Sequence, residues 1–182
     1  MQTIHEDFMR QALVQAQRAF DVDEVPVGAV IVMHGKIIAK AYNQVQLLKD
    51  VTAHAEILAI TSACENLQEK YLTEATLYVT LEPCSHTGKT PPCTDLIISQ
   101  GIPRVVYASK DPNPKVNGAE LLIANGVAVI YSPTEKALEL NKEFFVQQLF
   151  NRPYCILKMA QTANGYVTEA EGIQTSISNS FS

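Results

Sequence analysis

The sequence has no apolar run that approaches the roughly 20 residues of a membrane-spanning helix. Its first residues also lack the basic and then apolar pattern of a secretory signal. These absences predict a cytoplasmic protein that does not contact a membrane. Cysteine is scarce, with Cys64, Cys84, Cys93 and Cys155 as the full set. Without a secretory signal, four cysteines indicate thiols and metal ligands rather than disulfides.

Basic residues are scarce as well. Lys and Arg total 14 against 19 Asp and Glu, which gives a formal net charge of -5, and no cluster of five or more basic residues occurs. Nucleic-acid-binding proteins usually carry a basic surface, because contacts to phosphates supply most of the non-specific affinity. The charge therefore favours a small-molecule substrate over RNA, although a local basic pocket is compatible with it.

The 182 residues, 47% hydrophobic and 18% charged, are typical of a globular protein with one domain and room for an appendage. Hydrophobic spacing predicts helices at 6–20, 53–66, 93–100, 118–125 and 133–150, and strands at 26–32, 36–42, 75–81, 104–108, 127–131 and 153–160. A hairpin followed by parallel crossovers predicts a three-layer α/β/α sandwich with a mixed, mostly parallel sheet of about five strands. We expect a domain at 1–150 and a C-terminal strand and tail at 151–182.

Four residues form the pattern that indicates a catalytic metal site. His54 is followed two residues later by Glu56, Cys84 follows a proline at the end of a predicted strand, and Cys93 begins a predicted helix. A His ligand, a Glu that is not a ligand, and two cysteines form the pattern of zinc deaminases. Three protein ligands leave the fourth tetrahedral position to water, as in a catalytic zinc site. We predict one zinc ion per chain on His54, Cys84 and Cys93, with Glu56 as the catalytic acid and base.

The spacing also predicts where this site lies. Residues two apart point in different directions on the flank of a helix, so His54 and Glu56 can converge only beyond the helix N-terminus. Cys93 lies at a second predicted helix N-terminus, and both helix dipoles favour thiolates and a bound hydroxide. The remaining cysteines, Cys64 on a helix and Cys155 in the last predicted strand, are interpreted as packing residues.

Beyond these four residues, the chain resembles two families of cytidine-deaminase-like zinc deaminases. Residues 5–81 resemble bacterial tRNA-specific adenosine deaminase, in the stretches 24–30 (EVPVGAV), 42–43, 50–56 (DVTAHAE) and 70–72. Residues 76–182 resemble the bifunctional riboflavin-biosynthesis deaminase/reductase, in 80–98 (TLEPCSHTGKTPPCTDLII), 111–114, 140–145, 152–154 and 156–158. The chain has the pattern of a hybrid, which natural recombination, engineering or design would each produce.

The resemblance implies substrate-binding residues in both the tRNA-deaminase-like part and the riboflavin-like part of the chain. In the riboflavin family, the positions of His86, Lys89 and Thr90 hold an aminopyrimidine and its ribose phosphate, and those of Asp111 and Asn113 line the pocket. In the tRNA enzymes, the position of Asn43 contacts the adenosine nucleotide. The eight residues between Cys84 and Cys93 replace the shorter spacing of the tRNA family, in which Thr87 would be the second cysteine.

We therefore predict zinc-dependent deamination of diaminohydroxyphosphoribosylaminopyrimidine, a phosphorylated aminopyrimidine of riboflavin biosynthesis. Adenosine-to-inosine deamination of tRNA is the alternative within enzymes, and a folded hybrid that binds zinc without catalysis is the alternative outside them. The resemblance to the reductase domain covers only its opening strand, and about 30 residues are too few for a dinucleotide domain, so no NADPH binding is expected. Family members are usually homodimers or homotetramers, so self-association is expected.

Overall fold

A computed structural model describes residues 2–86 and 91–159 of the chain. Lys89 and Thr90, two of the predicted substrate-binding residues, lie outside the described residues. The chain divides into two compact units, Met1–Arg152 and Pro153–Ser182. Within the second unit, the described residues 153–159 form no strand, contrary to the strand predicted at 153–160, and Cys155 is exposed rather than packed.

The first unit contains twelve elements among the described residues. The helices are α1 (Gln2–Asp21), α2 (Val45–Leu48), α3 (Ala55–Leu67), α4 (Cys93–Ser99), α5 (Gly118–Ala124), α6 (Glu135–Leu140) and α7 (Lys142–Phe150). The strands are β1 (Gly28–Met33), β2 (Lys36–Tyr42), β3 (Ala75–Val79), β4 (Arg104–Tyr107) and β5 (Ala128–Tyr131). No helix of the described residues is long and apolar enough to cross a membrane.

The five strands form one mixed sheet in the order β2-β1-β3-β4-β5. Strand β1 runs antiparallel to both of its neighbours, whereas β3, β4 and β5 are parallel to one another. Four of the five strands consequently point in one direction, which confirms the predicted mixed and mostly parallel sheet. Because the carboxyl ends of β3 and β4 meet at one edge, the residues that follow them are brought close together.

Helices cover both faces of the sheet and produce the predicted three layers. On one face, α3, α4 and α5 bury residues such as Ala59, Ile97 and Leu122 against the sheet. On the other face, Met9 and Ala12 of α1, together with residues of α6, pack on the alternate strand residues. Burial of both faces explains why the central strands are almost continuously apolar.

The segment between β2 and the helix predicted at 53–66 contains the short helix α2. Thr52 does not cap the following helix, because its hydroxyl donates to the carboxylate of Asp50 at 2.7 Å. His54 is instead the residue at the N-cap position, it makes no side-chain capping bond, and the helix begins at Ala55.

The prediction of a single helix at 133–150 is wrong, because Asn141 separates two helices, α6 and α7. This residue is completely buried. Its side-chain nitrogen donates to the carbonyl oxygens of Pro26 at 3.0 Å and Ala137 at 3.1 Å. The bond to Pro26 connects the junction of α6 and α7 to the segment that precedes β1.

The contact between α1 and β1 yields a stability prediction at Gly28. A Cβ atom on Gly28 would overlap the carbonyl oxygen of Ala12 and the amide nitrogen of Ala16. Gly28→Ala is expected to lower the free energy of unfolding by about 3 kcal/mol, because helix backbone atoms must move. The control Gly35→Ala has nothing within 4 Å, so it is expected to cost only about 1 kcal/mol, from its positive φ. Urea denaturation measures both, and equal losses would contradict the steric explanation.

Candidate metal centre and active-site cavity

The imidazole of His54 and the thiols of Cys84 and Cys93 meet beyond the carboxyl end of β3. One donor atom from each residue can be chosen so that all three lie within 4.8 Å of one another. The imidazole nitrogen that faces the sulfurs is Nδ1, which is 3.3 Å from Sγ of Cys93 and 3.9 Å from Sγ of Cys84. One imidazole nitrogen and two sulfurs are donor atoms that zinc prefers. The three residues therefore fit a zinc ion with three protein ligands.

The start of α4 joins the two cysteines. The backbone amide of Cys93 donates to Sγ of Cys84 at 3.2 Å, and the amide of Thr94 donates to the carbonyl oxygen of Cys84 at 3.2 Å. These bonds satisfy amides of the first turn of α4, whose N-cap Pro92 makes no side-chain cap. The hydrogen bond from the Cys93 thiol, followed by that from His54, lowers the pKa of Cys84, whereas the same contact with Cys84 raises the pKa of Cys93. The opposite shifts arise because the two sulfurs share a proton, and a metal ion would need both of them as thiolates.

Glu56 lies in the first turn of α3, and only 5% of its surface is exposed. Burial, and then the negative charge of Cys84, raises the pKa of its carboxyl to about 7. Both Glu56 and His54 line the same cavity. A carboxyl group with a pKa near 7 can both accept and return a proton at neutral pH.

The cavity beside these residues has a volume of about 360 Å³. Its walls come from the segment before β1, the segment around α2, the ends of β3 and β4, and α7. The lining residues are Asp23, Glu24, Val25, Val27, Asn43, Val45, Gln46, His54, Glu56, Leu81, Glu82, Cys84, His86, Asp111 and Phe144. Among these described residues there are five carboxyl groups and neither lysine nor arginine, and protein donors already occupy Glu24 and one oxygen of Glu82.

Three of the predicted substrate-binding residues, Asn43, His86 and Asp111, line this cavity. Burial raises the pKa of Asp111. Asn113 is not among the lining residues, and its side-chain oxygen accepts a hydrogen bond from the amide of Lys115 at 3.0 Å. That bond stabilises the loop that contains Asn113.

Nine lining residues are not among the site residues predicted from the sequence, and three of them supply an aromatic ring or a buried carboxylate. Phe144 on α7 adds an aromatic wall. Glu82 is buried and accepts a hydrogen bond from the amide of Ala119, in the first turn of α5, at 2.9 Å. Glu24 is buried and accepts hydrogen bonds from residues around α2. Both carboxylates bind helix amides that are distant in sequence, which no local pattern indicates.

The sheet, the clustered His54, Cys84 and Cys93, and buried Glu56 define a zinc-dependent deaminase. The chain belongs to the family of the cytidine and deoxycytidylate deaminase zinc-binding region, whose model matches residues 2–109, more than half of the chain. This membership confirms the class of enzyme that the sequence pattern predicts.

Its relatives are of two kinds. The riboflavin biosynthesis protein RibD of Aquifex aeolicus is 42% identical over 174 residues, which are 93% of this chain and 46% of the relative. The tRNA-specific adenosine deaminase of the same organism is 44% identical over 149 residues, 77% of this chain and 93% of the relative. This chain thus spans about half the length of the RibD protein.

A solved structure is similar to this chain over nearly the same extent as the RibD protein. The diaminohydroxyphosphoribosylaminopyrimidine deaminase/5-amino-6-(5-phosphoribosylamino)uracil reductase of Thermotoga maritima is 38% identical and superposes with a TM-score of 0.83. The match covers 98% of this chain and 50% of that one. The two predicted resemblances are therefore confirmed, and the RibD resemblance also extends over the N-terminal half that resembles the tRNA enzymes.

Proposed function

We propose that this protein catalyses the hydrolytic deamination of a diaminopyrimidine ribosyl phosphate, the deaminase reaction named for the Thermotoga maritima relative. The observation that carries the proposal is the extent of the match, since RibD-type proteins are similar to this chain over 93% to 98% of its length. The eight-residue spacing between Cys84 and Cys93 agrees with that family.

We assign the zinc ion to Nδ1 of His54 and the sulfurs of Cys84 and Cys93. Zinc bound there supplies a Lewis acid that lowers the pKa of a water molecule towards 7. Glu56 takes the proton from the attacking water and delivers it to the ring nitrogen next to the reacting carbon. A second proton passes through Glu56 to the amino group, which leaves as ammonia while the carbon gains a carbonyl oxygen.

The rest of the cavity binds and orients the substrate. Asn43, His86 and Asp111 supply polar contacts to the heterocycle, and Phe144 supplies an apolar wall. Lys89 and Thr90 lie outside the described residues, so their contact with the phosphate stays a prediction from the resemblance. Asn113 is assigned to the loop rather than to the substrate. Self-association and the lack of NADPH binding stay predictions.

Deamination of adenosine in tRNA is the second candidate. It is favoured by the relative of Aquifex aeolicus with that name, which this chain matches over 93% of the relative's length. The cavity also includes Asn43, the residue carried over from the tRNA family. The net charge of -5 opposes this candidate, because an anticodon stem-loop is a polyanion.

A side-by-side assay separates the two candidates. Purified zinc-loaded protein is incubated with the pyrimidine intermediate, and ammonia release is followed. In parallel it is incubated with a tRNA anticodon stem-loop, and inosine formation is followed. We expect kcat/KM for the pyrimidine to be at least about 100-fold higher, a difference that a site with paired polar contacts can produce. Inosine as the faster product would overturn the proposal, and turnover of neither substrate would favour the non-catalytic hybrid.

A further inference from the structure

Buried Glu24 connects two walls of the cavity without contacting the reacting centre in the proposed mechanism. It lies between α1 and β1, and only 5% of its surface is exposed. Its Oε1 atom accepts hydrogen bonds from the backbone amides of Gln46 at 2.7 Å and Leu47 at 2.8 Å. These amides belong to α2, whose N-cap residue Gln44 makes no side-chain cap. Glu24 therefore takes the place of the missing cap.

The second oxygen of Glu24 faces Asn43. Its Oε2 atom accepts a hydrogen bond from Nδ2 of Asn43 at 3.2 Å, and Asn43 is only 7% exposed. The backbone of Asn43 is fixed as well, because its amide donates to the carbonyl oxygen of Val27 at 3.0 Å. Asn43 is thus held at both its backbone and its side chain in the wall of the cavity.

This arrangement determines which end of the Asn43 amide is oriented away from Glu24. A carboxylate only accepts hydrogen bonds, so the nitrogen of the amide must face Glu24 and the oxygen must point away from it. We propose that Glu24 is a positioning residue that fixes the Asn43 side chain with its Oδ1 oxygen as the acceptor for an N–H or O–H donor of the substrate. The proposal rests on the proposed deaminase function and adds a requirement for the substrate, namely a donor at the position that meets Asn43.

Glu24→Gln reverses the order of donor and acceptor with a side chain of the same shape. The amides of Gln46 and Leu47 need an acceptor, so they fix the oxygen of the introduced glutamine in the place of Oε1. The nitrogen of that glutamine then faces Asn43, whose amide must turn and present its NH₂ group to the substrate. A donor would meet a donor there, so we expect KM to rise at least about tenfold while kcat changes less than about threefold.

The double variant Glu24→Gln/Asn43→Asp restores the original polarity. The amide nitrogen at position 24 donates to one oxygen of the introduced aspartate, and the second oxygen again offers an acceptor to the substrate. We expect its KM to return to within about threefold of the wild-type value, whereas Asn43→Asp alone places two carboxylates together and loses at least about tenfold. A residue with only a structural role would not show this rescue. The control Glu65→Gln removes an equal charge from an exposed position of α3 and is expected to leave KM unchanged.

An unchanged KM in Glu24→Gln, or a double variant no better than the worse single variant, would overturn the proposal. The free wild-type protein gives a second measurement that needs no variant and no substrate. Nuclear magnetic resonance of side-chain amides is expected to show one Asn43 proton protected from solvent exchange. Exchange as fast as in an exposed asparagine would equally overturn the inference. Because this measurement does not depend on turnover, it distinguishes a failure of the Glu24–Asn43 pair from a failure of the proposed deaminase function.

Discussion

Glu56→Gln is expected to lower kcat by about 10³-fold while the protein stays folded and retains one zinc ion. Glutamine has nearly the shape of glutamate, so the first turn of α3 and the nearby His54 keep their positions. It cannot take a proton from water at neutral pH. Ammonia release under saturating substrate measures kcat, and elemental analysis of the purified variant measures the zinc content.

The matched control for this variant is Glu65→Gln, which changes an exposed residue on the same helix. Its kcat is expected to equal that of the wild type. If Glu56→Gln kept more than about a tenth of the wild-type kcat, proton transfer by Glu56 would not be the catalytic step that we propose.

Cys93→Ala is expected to abolish zinc binding and to reduce deamination below detection, at least about 10³-fold. Cys93 is completely buried, its amide donates to Cys84, and its sulfur lies 3.3 Å from His54. Removing it leaves only two donors, too few to retain zinc against dilution. The variant should also resemble wild-type protein treated with a chelator in its thermal stability, because a metal that binds only the folded state stabilises it.

Zinc content and thermal denaturation, measured with and without a chelator, test this prediction. Cys155→Ala is the control, since Cys155 is exposed and lies in the second unit. It is expected to retain one zinc ion per chain and full activity. One zinc ion per chain in Cys93→Ala would show that the ligand set assigned here is wrong.

The sequence predicts the layers of this fold well because both faces of the sheet are buried. Strand β2 has its predicted bounds, and β3 and β4 lie within theirs. The errors occur where side chains bind partners that are remote in sequence. Asn141 interrupts a periodic pattern because it binds the carbonyl oxygen of Pro26, 115 residues away.

The candidate site also contains residues that a local pattern indicates and residues that only the folded chain brings together. His54, Glu56, Cys84 and Cys93 form a recognisable pattern because the chemistry restricts their residue types. Glu24 and Phe144 carry no such restriction, since a carboxylate before a strand or an aromatic on a helix is usually unrelated to catalysis. Their places in the cavity wall become visible only when the sheet brings the segment before β1 and α7 together.

The bonds of Glu82 to α5 and of Glu24 to α2 have a consequence for protein engineering. Each carboxylate satisfies the amides of a short helix that stands next to the cavity but belongs to a different segment. A loop transplanted from another deaminase to change the specificity would arrive without its remote acceptor, or would leave the old one buried without donors. Exchanges at this cavity should therefore move each loop together with its carboxylate, as a pair of discontinuous segments.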